Sequence, residues 1–256
     1  MSTAHEGHRS GTHETNRAPD ILVLTGTGTE VGKTVTTAAV AATALAAGRS
    51  VAVLKPAQTG VLAEERGDAD EVVWLAGGVT AMELARYPEP LAPATAARRS
   101  GLAPVRPYEV AEAAEKLAAS HDLVIVEGAG GLLVRFDEHG GTLADVAARL
   151  GAPVLLVASA GLGTLNSTEL TARELRSRNV RLAGVVIGSW PAAPDLASRC
   201  NVTDFPVVAG APLVGAIPAG AGARRPAEFR TEAPSWLGPE LGGTWRAADF
   251  TARESA

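Results

Sequence analysis

The sequence predicts a single α/β domain: a mostly parallel sheet with helices on both faces. Short runs of Val, Leu and Ile without polar alternation, such as residues 123–126 and 154–158, have the composition of strands buried on both sides. Amphipathic stretches long enough for helices separate them, the order of repeated strand–helix–strand units. The first apolar run, 21–24, leads through a glycine-rich turn into an alanine-rich stretch, so a strand, a tight turn and a helix start follow one another.

Taken in order, residues 21–24 form a strand, 34–47 a helix stopped by Gly48, and 51–54 a second strand. Helical spacing follows at 70–75 and 108–119, then a strand at 123–126, a helix at 143–150 and a strand at 154–158. A helix at 165–177, a strand at 182–187 and a short strand at 213–217 complete the alternation. Residues 87–107 hold five prolines and read as an irregular excursion between the second and third main strands, the kind of segment that carries substrate loops. Residues 224–256, with Trp236, Trp245 and Phe250, read as a loop plus a short packing helix. The polar segment 1–19 reads as a disordered tail, with the folded domain spanning 20–256 and His5, His8 and His13 solvated rather than metal-binding.

The turn after the first strand is Gly26-Thr27-Gly28-Thr29-Glu30-Val31-Gly32-Lys33-Thr34. A buried strand, a glycine-rich turn and a helix start aim backbone N–H groups and the positive helix end at an anion. Lys33 adds a charge for the β/γ-phosphates and Thr34 a hydroxyl for Mg²⁺. This makes the chain P-loop NTPase-like and a nucleoside triphosphate its expected ligand. The loop is a variant, since the common pattern wants Gly at position 27. A dinucleotide fingerprint is excluded, because counting from Gly26 meets Gly28 but puts Val31 at the third glycine.

Composition narrows the function classes. With 256 residues, 46% hydrophobic and 4% aromatic, the chain can bury one sizeable core made mainly of Ala, Val and Leu. A formal charge of −5 argues against a general nucleic-acid or anionic-membrane binder. No apolar run approaches the ~20 residues of a spanning helix, so a cytoplasmic protein is expected. A single cysteine, Cys200, leaves no internal disulfide and no multi-cysteine zinc site. Neither His121 nor His139 lies in a motif, so no nucleophilic triad is supported. Three lysines stand against twenty arginines, and two of the three, Lys33 and Lys55, fall in motifs. A lysine kept in such a chain points to a compact ammonium where a planar fork would not serve.

Lys55-Pro56-Ala57-Gln58-Thr59-Gly60 sets an ammonium at a strand end, with Pro56 expected to end regular pairing. An ammonium beside a phosphate site neutralises charge on a transferred phosphoryl group or an anionic nucleophile. The run 123–126 then meets Glu127-Gly128-Ala129-Gly130-Gly131, similar to a Walker B strand with Glu in place of Asp; its carboxylate can ligate Mg²⁺, and its glycines allow close backbone approach. All these segments fall at the carboxyl edge of the expected sheet, where open α/β sheets bind ligands.

Together with Gly67-Asp68-Ala69, these motifs resemble dethiobiotin synthetase, in order from about residue 20 to about 220. Glu89-Pro90-Leu91-Ala92-Pro93 and Gly161-Leu162-Gly163-Thr164-Leu165-Asn166 also look like that family's substrate loop and the loop before its interface helix. The resemblance implies conversion of 7,8-diaminononanoate, CO₂ (from bicarbonate) and ATP to dethiobiotin, ADP and phosphate through a carbamate and a carbamic-phosphoric anhydride. It assigns Lys33 to the phosphates and Lys55 to the charge shared by carbamate and γ-phosphate. Thr29, Glu30, Val31, Gly32, Thr34, Val35, Glu127, Gly128, Gly130, Gly131, Ser189 and Pro218 would line the nucleotide. Thr34, Asp68 and Glu127 would surround Mg²⁺, with Asp68 preferred over Asp70. Glu30 and Thr59 would hold the diamine or carbamate. Gly163, Thr164, Leu165 and Asn166 would receive the substrate carboxylate from the partner subunit of a homodimer.

The chain departs from the family pattern at Gly188-Ser189-Trp190-Pro191, where many members carry an Asn-Asp pair that reads adenine. Trp190 is open to stacking on a base or packing in a core or interface. The rival class is a partitioning or septum-positioning ATPase, which carries a signature lysine where this chain has Gly28. A GTPase needs Asn-Lys-x-Asp, and none of the three lysines follows Asn. Amidotransferase-type cobyrinate synthases add a glutaminase domain for which this chain has no room.

Overall fold

In the computed structural model, which describes residues 20–254, the apolar runs expected as strands lie in one sheet and are largely buried. The tail reading for 1–19 lies outside the described residues. The chain runs β1 (Asp20–Gly26), α1 (Lys33–Ala46), β2 (Val51–Thr59), α2 (Asp68–Ala76), β3 (Val79–Tyr87), α3 (Pro93–Ser100), α4 (Pro107–Ala118), β4 (Leu123–Gly131), α5 (Leu143–Leu150) and β5 (Val154–Ala158). It continues through α6 (Thr164–Ser177), β6 (Leu182–Trp190), α7 (Leu196–Ala209), β7 (Leu213–Pro218), α8 (Pro226–Glu232) and α9 (Ala247–Glu254). The seven strands form one sheet in the order β3-β2-β4-β1-β5-β6-β7. All the strand pairs of that sheet are parallel.

Period-two alternation explains how unbroken apolar strands serve two cores. Leu22 and Leu24 face α1, α2 and the α8 region, where Phe229 and Trp236 meet edge to face at 5.2 Å between ring centroids. Val23, Val124 and Val126 face the other way, against α3, α4 and α5. A third cluster under α7 and α9 fills the β6–β7 end and contains Trp190, Phe205 and Phe250. No helix among the described residues is long and apolar enough to cross a membrane.

Two expectations are corrected, and two elements appear that the sequence did not signal. Residues 87–107 are not one irregular excursion: Tyr87 ends β3, and Pro93–Ser100 is a helix with Pro93 in its first turn and Gly101 in the left-handed region at its end. Proline there tolerates a helix start because the missing N–H has no intrahelical acceptor. Strand β3 itself was not expected, since it is an edge strand whose Thr80, Ala81 and Met82 are exposed, so the apolar run is broken. Pro56 does not end β2: pairing with β4 stops at Leu54↔Val126, but pairing with β3 continues from Lys55↔Glu83 to Thr59↔Tyr87. Helix α7 was also not expected. Its interior Pro206 hides it, whereas Asp195 caps it by accepting from the Ser198 N–H at 2.7 Å.

The β1–β4 ladder carries an irregularity that positions the site. Leu24 pairs with Glu127, but the next partner of β1 is Gly26↔Gly131. The extra residues of β4 bulge beside the first glycine-rich turn, and Gly130 there takes φ 74°.

Candidate active site

The turn between β1 and α1 is tied to the sheet at both ends. Thr27 N–H donates to Val157 O at 2.9 Å. At the other end Gly32, at φ 94°, is the N-cap of α1 and packs on the end of β6 so closely that a Cβ on Gly32 would overlap Gly188 O. The contact is mutual, because a Cβ on Gly188 would overlap Val31 O. Glycine at 188 therefore has a steric reason. Glu30 holds φ 59°, a left-handed conformation that costs a non-glycine residue of order 1 kcal/mol. Such strain persists where the surrounding structure or the function requires the side chain.

Four charged side chains converge beneath this turn. Lys55 is 2% exposed, and its Nζ lies 2.8 Å from Glu127 Oε1, 2.5 Å from an Asp68 carboxylate oxygen and 3.3 Å from Gly128 O. Glu127 is 1% exposed; Thr34 Oγ1 donates to its Oε1 at 3.1 Å and Thr37 Oγ1 to its Oε2 at 2.5 Å. Lys33 is buried and donates to Gly28 O at 2.8 Å. Burial acts against the Lys55 charge, but attraction by Glu127 and then Asp68 outweighs it and raises its pKa above the usual lysine value. Burial also pushes the Asp68 carboxyl up, yet the Lys55 ammonium beside it and the hydrogen bonds of Lys55 and Thr34 hold it below the carboxylate range. Lys33 moves the opposite way from Lys55: burial first, then repulsion from Lys55, lowers its pKa.

A cavity of about 790 Å³ opens over these groups. Thr29, Glu30, Gly32, Lys33, Thr34 and Val35 line it from the turn, Lys55, Gln58 and Thr59 from β2, Asp68 from α2, Gly130 from the β4 bulge, and Pro90–Pro93 from the chain leading into α3. Glu127 lies just below, reaching the cavity through Thr34 and Lys55. Val31, Gly128 and Gly131 are not among the lining residues, and Val31 packs on the core. Ser189 and Pro218 lie at the carboxyl ends of β6 and β7, outside the cavity lining. Trp190 is a core residue, edge to face with Phe250 at 5.0 Å between centroids. Gly163, Thr164, Leu165 and Asn166 form the start of α6 and do not line the cavity; Thr164 Oγ1 is buried with no hydrogen-bond partner among the described residues, and neighbouring Leu162 is 93% exposed.

Two further polar residues support the site, neither with a role that the sequence assigns. Gln58 is buried, and its Oε1 accepts from Asp68 N–H at 2.8 Å, giving α2 the acceptor that its N-cap, Gly67, cannot supply. Thr37 is the other. Gln58 stands inside the Lys55–Gly60 motif but its residue type points to no particular partner, and a threonine in an alanine-rich helix carries no motif.

Fold and site define a nucleoside-triphosphate-binding α/β protein with a second lysine facing the phosphate loop. A family model described as an AAA domain matches residues 20–226. The chain is 76% identical over 232 residues to the ATP-dependent dethiobiotin synthetase BioD of Streptomyces avermitilis, an overlap of 91% of this chain and 98% of that protein. It is 72% identical over 233 residues to the protein of the same name from Streptomyces coelicolor, covering 91% of this chain and 98% of that one. The chain belongs to the dethiobiotin synthetase family. A ParA family ATPase from Chlorobium tepidum TLS superposes with TM-score 0.54 at 14% identity, over 92% of this chain and 98% of that one, a likeness of fold alone.

Proposed function

We propose that the chain catalyses the ATP-dependent carboxylation and ring closure of 7,8-diaminononanoate to dethiobiotin, with release of ADP and phosphate. The carrying observation is Lys55, held by Glu127 and Asp68 in the lining of the same cavity as the Lys33 loop. In the proposed sequence one amine captures CO₂ as a carbamate and loses a proton. A carbamate oxygen attacks the γ-phosphorus and ADP leaves; the second amine then attacks the carbonyl carbon, and phosphate leaves as the ureido ring closes. No step needs a protein nucleophile. The protein's part is positioning and charge stabilisation.

Lys33 turns from Gly28 O to the β/γ-phosphates, and the backbone N–H groups of residues 29–34 hold the same oxygens. Lys55 stays put. Its ammonium, sheltered from water, meets the charge that develops between carbamate and γ-phosphate. Glu30 and Thr59 face the cavity where an ammonium and a carbamate could be held. The Thr34 hydroxyl with the Asp68 and Glu127 carboxylates is a set of hard oxygen donors that fits Mg²⁺. Bound there, Mg²⁺ would supply neutralisation of phosphate charge.

The start of α6, with the unpartnered Thr164 hydroxyl and exposed Leu162, supports a homodimer in which each subunit receives the other's substrate carboxylate. The protein then works in the cytoplasm as a pair of such sites. ADP release measured with purified protein tests the reading: it is expected only when diaminononanoate and bicarbonate are both present. Equal release with the diamine left out would instead favour a regulatory ATPase.

A further inference from the structure

Threonines on α1 follow two habits. Thr36 and Thr43 return their hydroxyl hydrogens to the helix, donating to Gly32 O at 2.9 Å and Ala39 O at 2.8 Å. Thr37 does not. It is fully buried, and its single donor crosses to β4, where it meets Glu127 Oε2 at 2.5 Å. Thr34 stands three residues earlier on the same side of α1, so two hydroxyls one turn apart grip the two oxygens of one carboxylate.

The two grips are not equivalent. Glu127 Oε1 is shared by Thr34 at 3.1 Å and Lys55 at 2.8 Å, and both donors face the cavity. Lys55 is itself divided among Glu127, Asp68 and Gly128 O. Among the described residues Thr37 Oγ1 has no other hydrogen-bond acceptor, and its side chain is fully buried. We infer that Thr37 is a positioning residue, which fixes Glu127 through Oε2 so that Oε1 alone is presented to the metal–nucleotide site. This inference rests on the metal reading of Thr34 and Glu127 given above.

The physical reason is the burial of Glu127. A carboxylate that is 1% exposed needs both oxygens hydrogen-bonded, and only Oε2 is bonded to a group with no part in substrate binding. Without the Thr37 hydroxyl the carboxylate would swing to find a new donor, and Oε1 would leave its place between Thr34 and Lys55. Groups that orient a ligand in this way commonly set metal affinity by 10–100-fold.

The test is a calorimetric titration of a non-hydrolysable ATP analogue on the full chain, with and without graded Mg²⁺. Thr37→Val keeps the shape and removes the hydroxyl, whereas Thr37→Ser keeps the hydroxyl. Thr37→Val is expected to raise the Mg²⁺ half-saturation about tenfold or more while metal-free nucleotide affinity stays within about twofold, and Thr37→Ser to restore the wild-type value to within about threefold. On a Glu127→Gln background the Thr37→Val effect should shrink to less than about threefold, because the group it positions is gone. An unchanged Mg²⁺ half-saturation in Thr37→Val, no recovery in Thr37→Ser, or an equal penalty on the Glu127→Gln background would overturn the inference. If Thr37→Val melts below the assay temperature, Thr37→Ala is compared with Thr37→Ser by the same titration and judged by the same outcomes. The titration does not depend on ring closure, so failure of wild-type protein to form a ureido product would sink the functional reading and leave this one standing.

Discussion

Lys55 Nζ lies 2.8 Å from Glu127 Oε1, and both side chains are almost wholly excluded from solvent. A pair buried this deeply contributes little net stability, because the desolvation of two charges offsets their attraction. Its value is an ammonium kept charged and fixed inside a cavity wall.

Lys55→Ala is therefore expected to do two separable things. Turnover should fall by about 10³-fold or more, on the scale of other cations that act in phosphoryl transfer, while nucleotide affinity stays within a few-fold. Removing one partner also strands the Glu127 charge, which costs roughly 3 kcal/mol and lowers the melting temperature by roughly 10 °C. The double variant Lys55→Met with Glu127→Gln should recover most of that stability but none of the turnover. Melting curves and steady-state rates on the same preparations separate the two effects, and near-normal turnover in Lys55→Ala would contradict the assigned role.

Glu30→Gly removes a carboxylate and relieves a left-handed φ of 59°. The relieved strain of about 1 kcal/mol is partly offset by the extra freedom of glycine in the unfolded chain, so the melting temperature should hold or rise slightly. Nucleotide affinity should stay within about threefold. The KM for the diamine should rise at least about tenfold, the scale of a lost charge-assisted contact. An unchanged diamine KM would return Glu30 to a solvated loop charge.

Gly188→Ala probes the joint between β6 and the phosphate loop. The added Cβ would meet Val31 O and Val157 Cγ1, so the loop must shift to admit it. Nucleotide affinity is expected to fall by about tenfold or more with a loss of 1–3 kcal/mol in stability. Gly161→Ala, where a Cβ would meet nothing within 4 Å, is the control and should bind nucleotide normally. Normal binding in both would show that the joint does not govern the loop.

The two lysines should part company in alkali. The Lys55 pKa is raised above 10.5, so its contribution to folding is complete below that value and is lost only as pH climbs through the higher folded one. The Asp68 pKa is depressed below 3.8, so its contribution is present above 3.8 and is lost as pH falls through the lower folded one. Across the neutral range the pair is constant. The Lys33 pKa lies below 10.5, so nucleotide affinity should weaken as pH approaches 10.5 from below, with no matching loss of stability from that group. Affinity that stays flat up to 10.5 would contradict this.

The site was more legible in the sequence than the fold's edges were. Lys33 and Lys55 stood out because lysine is scarce, and Glu127 because it ends an apolar run before a cluster of glycines. Their convergence follows from parallel strands all ending at one edge. Gln58 and Thr37 act through contacts between a strand and a helix, to Asp68 and Glu127, which no local pattern encodes. Strand β3 was hidden because an edge strand with a solvent-facing side breaks its apolar run, and α7 because Pro206 breaks its helical pattern. Trp190 could not be decided from its own surroundings in the chain, since its partner Phe250 lies sixty residues away in α9.

Incorporation of isotopically labelled bicarbonate tests the proposed chemistry most directly. Wild-type protein supplied with ATP, Mg²⁺, diaminononanoate and labelled bicarbonate should form a ureido product carrying the label in its ring carbonyl, with one ADP released per labelled carbon. ADP release that proceeds unchanged without the diamine, with all label left as bicarbonate, would contradict a carboxylating, ring-closing enzyme.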